Sequence, residues 1–117
     1  MKQNAWLELR QYVQRSIADT ELGRLDDISL RLLEWVLLES RASSDPLFMQ
    51  SLVMRANVAS PATVYKCVAK LIETRMIEVA VDAADTRRRI VRPTPGALKL
   101  IDKLGKSTEH WMKTRDT

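Results

Sequence analysis

A chain of 117 residues with 45% hydrophobic and 29% charged side chains suits one domain around one core. Its single cysteine, Cys67, excludes an internal disulfide and a multi-cysteine zinc centre, so packing alone must hold the fold. The net charge of +4 is unevenly spread: residues 1–40 carry five Lys/Arg against seven Asp/Glu, whereas residues 60–92 carry seven against four, which puts the basic face in the second half.

The most apolar run, residues 30–38, is interrupted by Arg31 and Glu34 and does not read as a membrane span. The opening MKQNAWLELRQYVQR has no unbroken apolar segment and no small-residue cleavage site, so a cytoplasmic location is expected rather than secretion.

Taken in order, Trp6, Leu9, Val13 and Ile17 recur at helical spacing and predict a first helix over residues 5–20. Gly23 and the polar stretch after it end that helix, and Asp27 is the expected N-cap of a second, over 28–40. Its sequence, ISLRLLEWVLLES, is apolar around most of its circumference, as a central core helix must be. Asp45 before Pro46 has the pattern of a cap followed by proline at the first helical position and predicts a short helix from there to Arg55. After a turn at 56–59, Ser60 and Pro61 repeat the pattern and open a helix to about Arg75. Val64, Val68, Leu71 and Met76 form its apolar stripe, with Tyr65, Lys66, Ala69 and Lys70 elsewhere on the cylinder. Residues 77–81 alternate and are rich in β-branched side chains, 82–85 favour a turn and 89–92 are strand-like, which makes a hairpin with a charged tip. Pro93, Thr94 and Pro95 end the hairpin, and residues 96–113 read as a last helix weakened by Gly105.

This order is that of a winged helix-turn-helix: mainly α, about five helices, with a small β-hairpin wing. The strings SPATVYKCVAKLIETRMIE (60–78) and VAVDAADTRRRIVRPTPG (79–96) resemble the MarR family of regulators without a gap, and the resemblance covers residues 28–96 well. It implies that 60–75 is a recognition helix, that 82–89 is the wing, and that Thr94 and Pro95 precede a dimerisation helix. Position by position, it places the family's helix opening on Ser60 and Thr63 and its polar pair on Tyr65 and Lys66. The wing acids and bases fall on Asp82, Asp85, Arg87 and Arg89. Ala84 stands where a wing arginine is usual, Arg75 where a glycine is usual, and Asn57 and Val58 where leucine and glycine are common. Asn57 is expected to supply the left-handed conformation instead.

The residues support the same assignment physically. Ser60 and Pro61 start the helix so that its backbone N–H groups face a DNA phosphate, while Tyr65 and Lys66 reach base edges or phosphates and Lys70 touches phosphate one turn on. Three adjacent arginines, Arg87, Arg88 and Arg89, are by themselves more often a solvated surface. Their place in a hairpin after a capped helix-turn-helix makes them wing probes for a narrow minor groove, with Asp82 or Asp85 pairing one of them. Cys67 is expected to be a small buried hydrophobe rather than a redox sensor, and His110 has no partner for a metal. No cofactor is expected and no catalytic set stands out.

Together these readings describe a sequence-specific regulator of transcription that binds double-stranded DNA, with a repressor on an inverted-repeat operator as the expected form. It is one domain over 1–117, with a homodimer built from the terminal segments 1–25 and 95–115 around a DNA-binding core at 28–93. Trp6, Val13, Leu104 and Trp111 are the expected interface. A winged helix used as a protein adaptor, and a ligand- or redox-responsive regulator, are the alternatives. No effector is identified, and short terminal helices are expected to leave little room for one.

Overall fold

The computed structural model describes residues 3–115. Helix α1 (Ala5–Ala18), a 3-10 turn (Glu21–Arg24), α2 (Asp27–Ala42), β1 (Leu47–Phe48), α3 (Met49–Arg55), α4 (Pro61–Glu73), β2 (Ile77–Val81), β3 (Arg89–Pro93) and α5 (Pro95–Thr114) follow in that order. The strands form one antiparallel sheet, β1-β3-β2, with Val79 opposite Val91 in the hairpin and Phe48 opposite Ile90 at the other edge.

Side-chain caps fix where four of the five helices begin. Asn4, Asp26, Ser60 and Thr94 each accept the backbone N–H three residues on, satisfying a donor the helix itself leaves open. The cap of α2 is therefore Asp26 and not Asp27. The reason is the buried Ser29, whose amide and hydroxyl both donate to the Asp26 carboxylate, at 3.1 and 2.7 Å.

The cap-and-proline reading of Asp45 and Pro46 also fails. Leu47 and Phe48 instead pair with β3 as a third strand, and α3 starts at Met49 without a side-chain cap. Pro46 favours extended backbone in the residue before it, and β3 offers an open edge that no local signal announces. The hairpin expected from sequence is thus two-thirds of a three-stranded sheet. Helix α5 runs unbroken through Gly105, whose missing side chain faces open space.

The core lies where α2 crosses α4 over the sheet. Leu32, Leu33 and Val36 of α2, Leu52 of α3, Val64, Cys67, Val68 and Leu71 of α4, and Ile77 and Val91 of the strands are all buried. Cys67 is a core residue, as its sequence neighbours suggest. The terminal helices meet this core only at its edge: α1 buries no residue fully, α5 buries Ala97, and the 58 × 26 × 22 Å molecule is drawn out along one axis. Its radius of gyration is 16.3 Å, against about 13 Å for a compact chain of this length. Along this arm Tyr12 of α1 stacks on Trp111 of α5 at 4.7 Å, and Glu8 pairs with Arg115.

Among the described residues two other than glycine hold positive φ: Asn57 at 51° in the turn between α3 and α4, as expected, and Arg75 at 61° after α4. Around Arg75 the Met76 N–H donates to the Leu71 carbonyl and the Arg75 N–H to that of Ile72, the paired bonds of a helix stop that glycine normally completes. An arginine there carries left-handed strain. Arg75→Gly is expected to raise the unfolding free energy by roughly 0.5–1 kcal/mol and Arg75→Val to lower it by at least as much. Urea denaturation of both variants checks this, and a less stable glycine variant would show that the Arg75 side chain contributes more than its backbone costs.

Candidate nucleic-acid interface

Burial of one side of α4 dictates what its other side presents. With Val64, Cys67, Val68 and Leu71 turned into the core, Tyr65, Lys66, Ala69 and Glu73 are exposed, Tyr65 by 54%, and Thr63 and Lys70 are half-buried. At the N-terminus Ser60 accepts the Thr63 N–H at 3.4 Å, its hydroxyl donates to the Thr63 hydroxyl at 3.1 Å, and Pro61 occupies the first turn. That turn contains no acid, so none of its own side chains neutralises the positive end of the helix dipole.

The hairpin tip is built by two aspartates. Asp82 folds its own loop by accepting the Ala84 N–H at 3.1 Å, and Asp85 accepts the Arg87 N–H at 3.1 Å. Each carboxylate also takes a guanidinium: Asp85 binds Arg87 through Nε and Nη2 at 3.1 and 3.2 Å, and Asp82 binds Arg88 Nη2 at 2.9 Å. The three arginines are consequently not equivalent. Arg87 projects with 88% of its side chain exposed, and Arg89 makes one long bond, 3.4 Å, to the Thr86 carbonyl. Arg88 turns back across the sheet with its guanidinium carbon 4.2 Å from the centre of the Phe48 ring. Sequence reasoning grouped all three because adjacency hides which face of a ribbon a side chain takes. Phe48 escaped notice because its strand was read as helix.

The expected interface residues also separate. Trp6 is 66% exposed near the free end of the arm. Trp111 is partly covered by Tyr12, and Val13 and Leu104 line an apolar cavity of about 220 Å³ among α1, α2 and α5. Ile17, Leu33 and Met76 also line that cavity, so the terminal helices leave more room than their length suggests. His110 is exposed, and among the described residues no group of three His, Cys, Asp or Glu side chains is placed to hold a metal. No described helix is long and apolar enough to cross a membrane.

The hydrogen bonds from the Arg87 side chain and backbone, with the Arg88 charge beside them, hold the Asp85 carboxyl below the usual aspartate range. A folded-state pKa below the unfolded one means that the pairing is in place at neutral pH and is lost as pH falls through the folded value. A carboxyl-carbon NMR titration is expected to place Asp85 below an ordinary aspartate, and Arg87→Ala to move it back up. An unchanged titration in the variant would remove the Arg87 side chain as the cause.

No family model and no curated protein matches the chain. Solved structures do. S. aureus MepR in complex with DNA superposes with a TM-score of 0.68 at 18% identity, covering 97% of this chain and 90% of that one. MepR bound to ethidium bromide gives 0.62 at 18% identity, with 96% and 80% covered. MarR itself gives 0.59 at 21% identity, with 97% and 83% covered. Five helices and a three-stranded sheet with a hairpin wing are thus the winged-helix fold of MarR and MepR, as the resemblance in residues 28–96 implied.

Proposed function

We propose that the chain is a MarR-type transcription regulator that binds double-stranded DNA as a homodimer and represses from an inverted-repeat operator. One observation carries this reading: α4, capped by Ser60 and free of acid in its first turn, exposes Tyr65 and Lys66 and leads directly into a hairpin tipped by Arg87 and Arg89. A winged helix uses these two elements together, the helix in the major groove and the ribbon over the backbone. The fold shared with MepR in its DNA complex points the same way. Ser60, Pro61, Thr63 and Lys70 hold the helix against phosphates, Tyr65 and Lys66 read bases, and Arg87 and Arg89 reach the flanking groove. No step of this function requires catalysis.

Gel-shift titrations against operator fragments selected from genomic DNA test it. Lys66→Ala is expected to change which sequences are preferred, whereas Arg87→Ala with Arg89→Ala weakens binding to all duplexes and lowers the slope of log K against log salt by about 2. A wing variant with undiminished affinity would take the wing out of the mechanism. A wild-type protein whose duplex affinity ignores salt would favour the adaptor reading.

The arm of α1 and α5 is the proposed dimer contact, with Trp6 as its exposed anchor. Trp6→Glu is expected to shift the mass measured by sedimentation from dimer to monomer while the circular dichroism spectrum is retained. A dimer that survives this change would place the interface elsewhere.

A second reading, ligand response, is favoured by the apolar cavity of about 220 Å³ where the arm meets the core. A small apolar or aromatic ligand filling it would bias the angle between the arm and the DNA-binding core. Thermal shift with small aromatic compounds, repeated in Val13→Trp, separates occupancy of this cavity from binding elsewhere.

A further inference from the structure

We propose that Arg88 is the positioning residue of the wing: its guanidinium clamps the hairpin tip onto Phe48 at the entrance of α3, leaving contact with DNA to Arg87 and Arg89. The inference rests on the duplex-binding reading for its effect on affinity, but the clamp itself belongs to the free protein.

The sheet register puts the three partners together. Phe48 lies opposite Ile90, and the Asp82 N–H donates to the Arg88 carbonyl at 3.0 Å, which sets Asp82 across from Arg88. Side chains two apart on a strand share a face, so Arg88 and Ile90 point the same way, and Phe48 and Asp82 face them from the strands on either side. The guanidinium closes this arrangement, stacked 4.2 Å over the Phe48 ring and bonded to Asp82 at 2.9 Å, with Asp85 at 3.7 Å.

Asp82 makes the clamp hard to open. It is only 8% exposed, one oxygen accepts the Ala84 N–H, and the other accepts Arg88. Were Arg88 to swing out to a phosphate, a nearly buried carboxylate would lose its counter-charge, which costs more than an exposed ion pair returns. Arg87 and Arg89 face no such penalty. Asp85 holds Arg87 at the surface, where pairs exchange for a phosphate readily, and Arg89 has one weak bond to give up. Phe48 is both a strand residue of the sheet and the N-cap position of α3, so the clamp ties the tip of the wing to the first helix of the helix-turn-helix. The angle between ribbon and reading helix is thereby fixed before DNA arrives, which lowers the ordering cost of binding.

The test compares Arg88→Ala, Phe48→Leu and their double variant with Arg87→Ala in duplex titrations over salt, alongside amide hydrogen exchange of the free proteins. Loss of the stacking in Phe48→Leu is expected to weaken binding about fivefold, the worth of one cation–π contact, and Arg88→Ala by at least as much, with the salt slope unchanged and the double variant no worse than Arg88→Ala. The Asp82 and Arg88 amides should exchange faster in both single variants. Arg87→Ala should lower the slope by about 1 and leave those amides protected. Arg88→Lys should rescue only in part, because an ammonium cannot both stack flat and bond as a fork. A slope reduced by about 1 in Arg88→Ala, with the amides still protected, would make Arg88 a phosphate contact and overturn the proposal. If the wild-type protein bound no duplex, the functional reading would fall, and unchanged amide exchange in Arg88→Ala would still overturn the clamp by itself.

Discussion

The contact on which the rest of the molecule depends is the buried crossing of α2 over α4. Leu32, Leu33 and Val36 meet Val64, Cys67, Val68 and Leu71 there, and the hydrophobic effect gives α4 only one stable rotation about its axis. Tyr65 and Lys66 point outward as a consequence of that packing and need no partners of their own to hold them there. The rotation also sets where α4 ends. Met76 and Ile77 must enter the same core immediately after Glu73, which forces the chain through a left-handed residue at Arg75. The outward face of α4 and the strain behind it therefore have one cause.

Charge follows this geometry. Three of the chain's acids are used to start a helix or close a loop: Asp26 caps α2, and Asp82 and Asp85 fold the hairpin tip. The first turns of α4 and α5 carry none. A modest net charge of +4 is thus concentrated by removing acids from the N-terminus of α4 and by using the tip's two carboxylates for internal bonds. At the wing Arg87 is the most exposed of the three arginines, and Arg88 is half-covered by its partners.

Much of this was legible in the sequence because it is local. Ser60 followed by Pro61, and the recurrence of Val64, Val68 and Leu71, specify both the start and the inner face of α4 within a dozen residues. The alternation of 77–81 and the aspartates of the tip specify the hairpin in the same way. The strand β1 was not legible, since a two-residue strand has no periodicity and exists only because β3, about forty residues later, offers it an edge. For the same reason the separate role of Arg88 was hidden: its ring partner sits on that unrecognised strand. Tyr12 and Trp111 are a third case. Each reads as one more apolar residue on an amphipathic helix, and only the antiparallel closure of α1 on α5 stacks them.

The two ends of the molecule are joined at Thr94, and the chemistry of one hydroxyl makes the joint stiff. Its Oγ1 accepts the Ala97 N–H to start α5 and donates to the Arg75 carbonyl at 2.7 Å, while its own N–H donates to the Met76 carbonyl at 3.1 Å. One residue thus bonds the beginning of the arm to the stop of α4, directly after the last residue of β3. A rotation of α5 about its start cannot leave Arg75 in place without breaking one of these bonds. Arg75 already holds a left-handed conformation that its side chain disfavours, so it yields before the packed core does. A displacement of α5 about its start therefore reaches α4 first at its C-terminal end, where Lys70 and the Arg75 turn lie, and only afterwards at Tyr65 and Lys66.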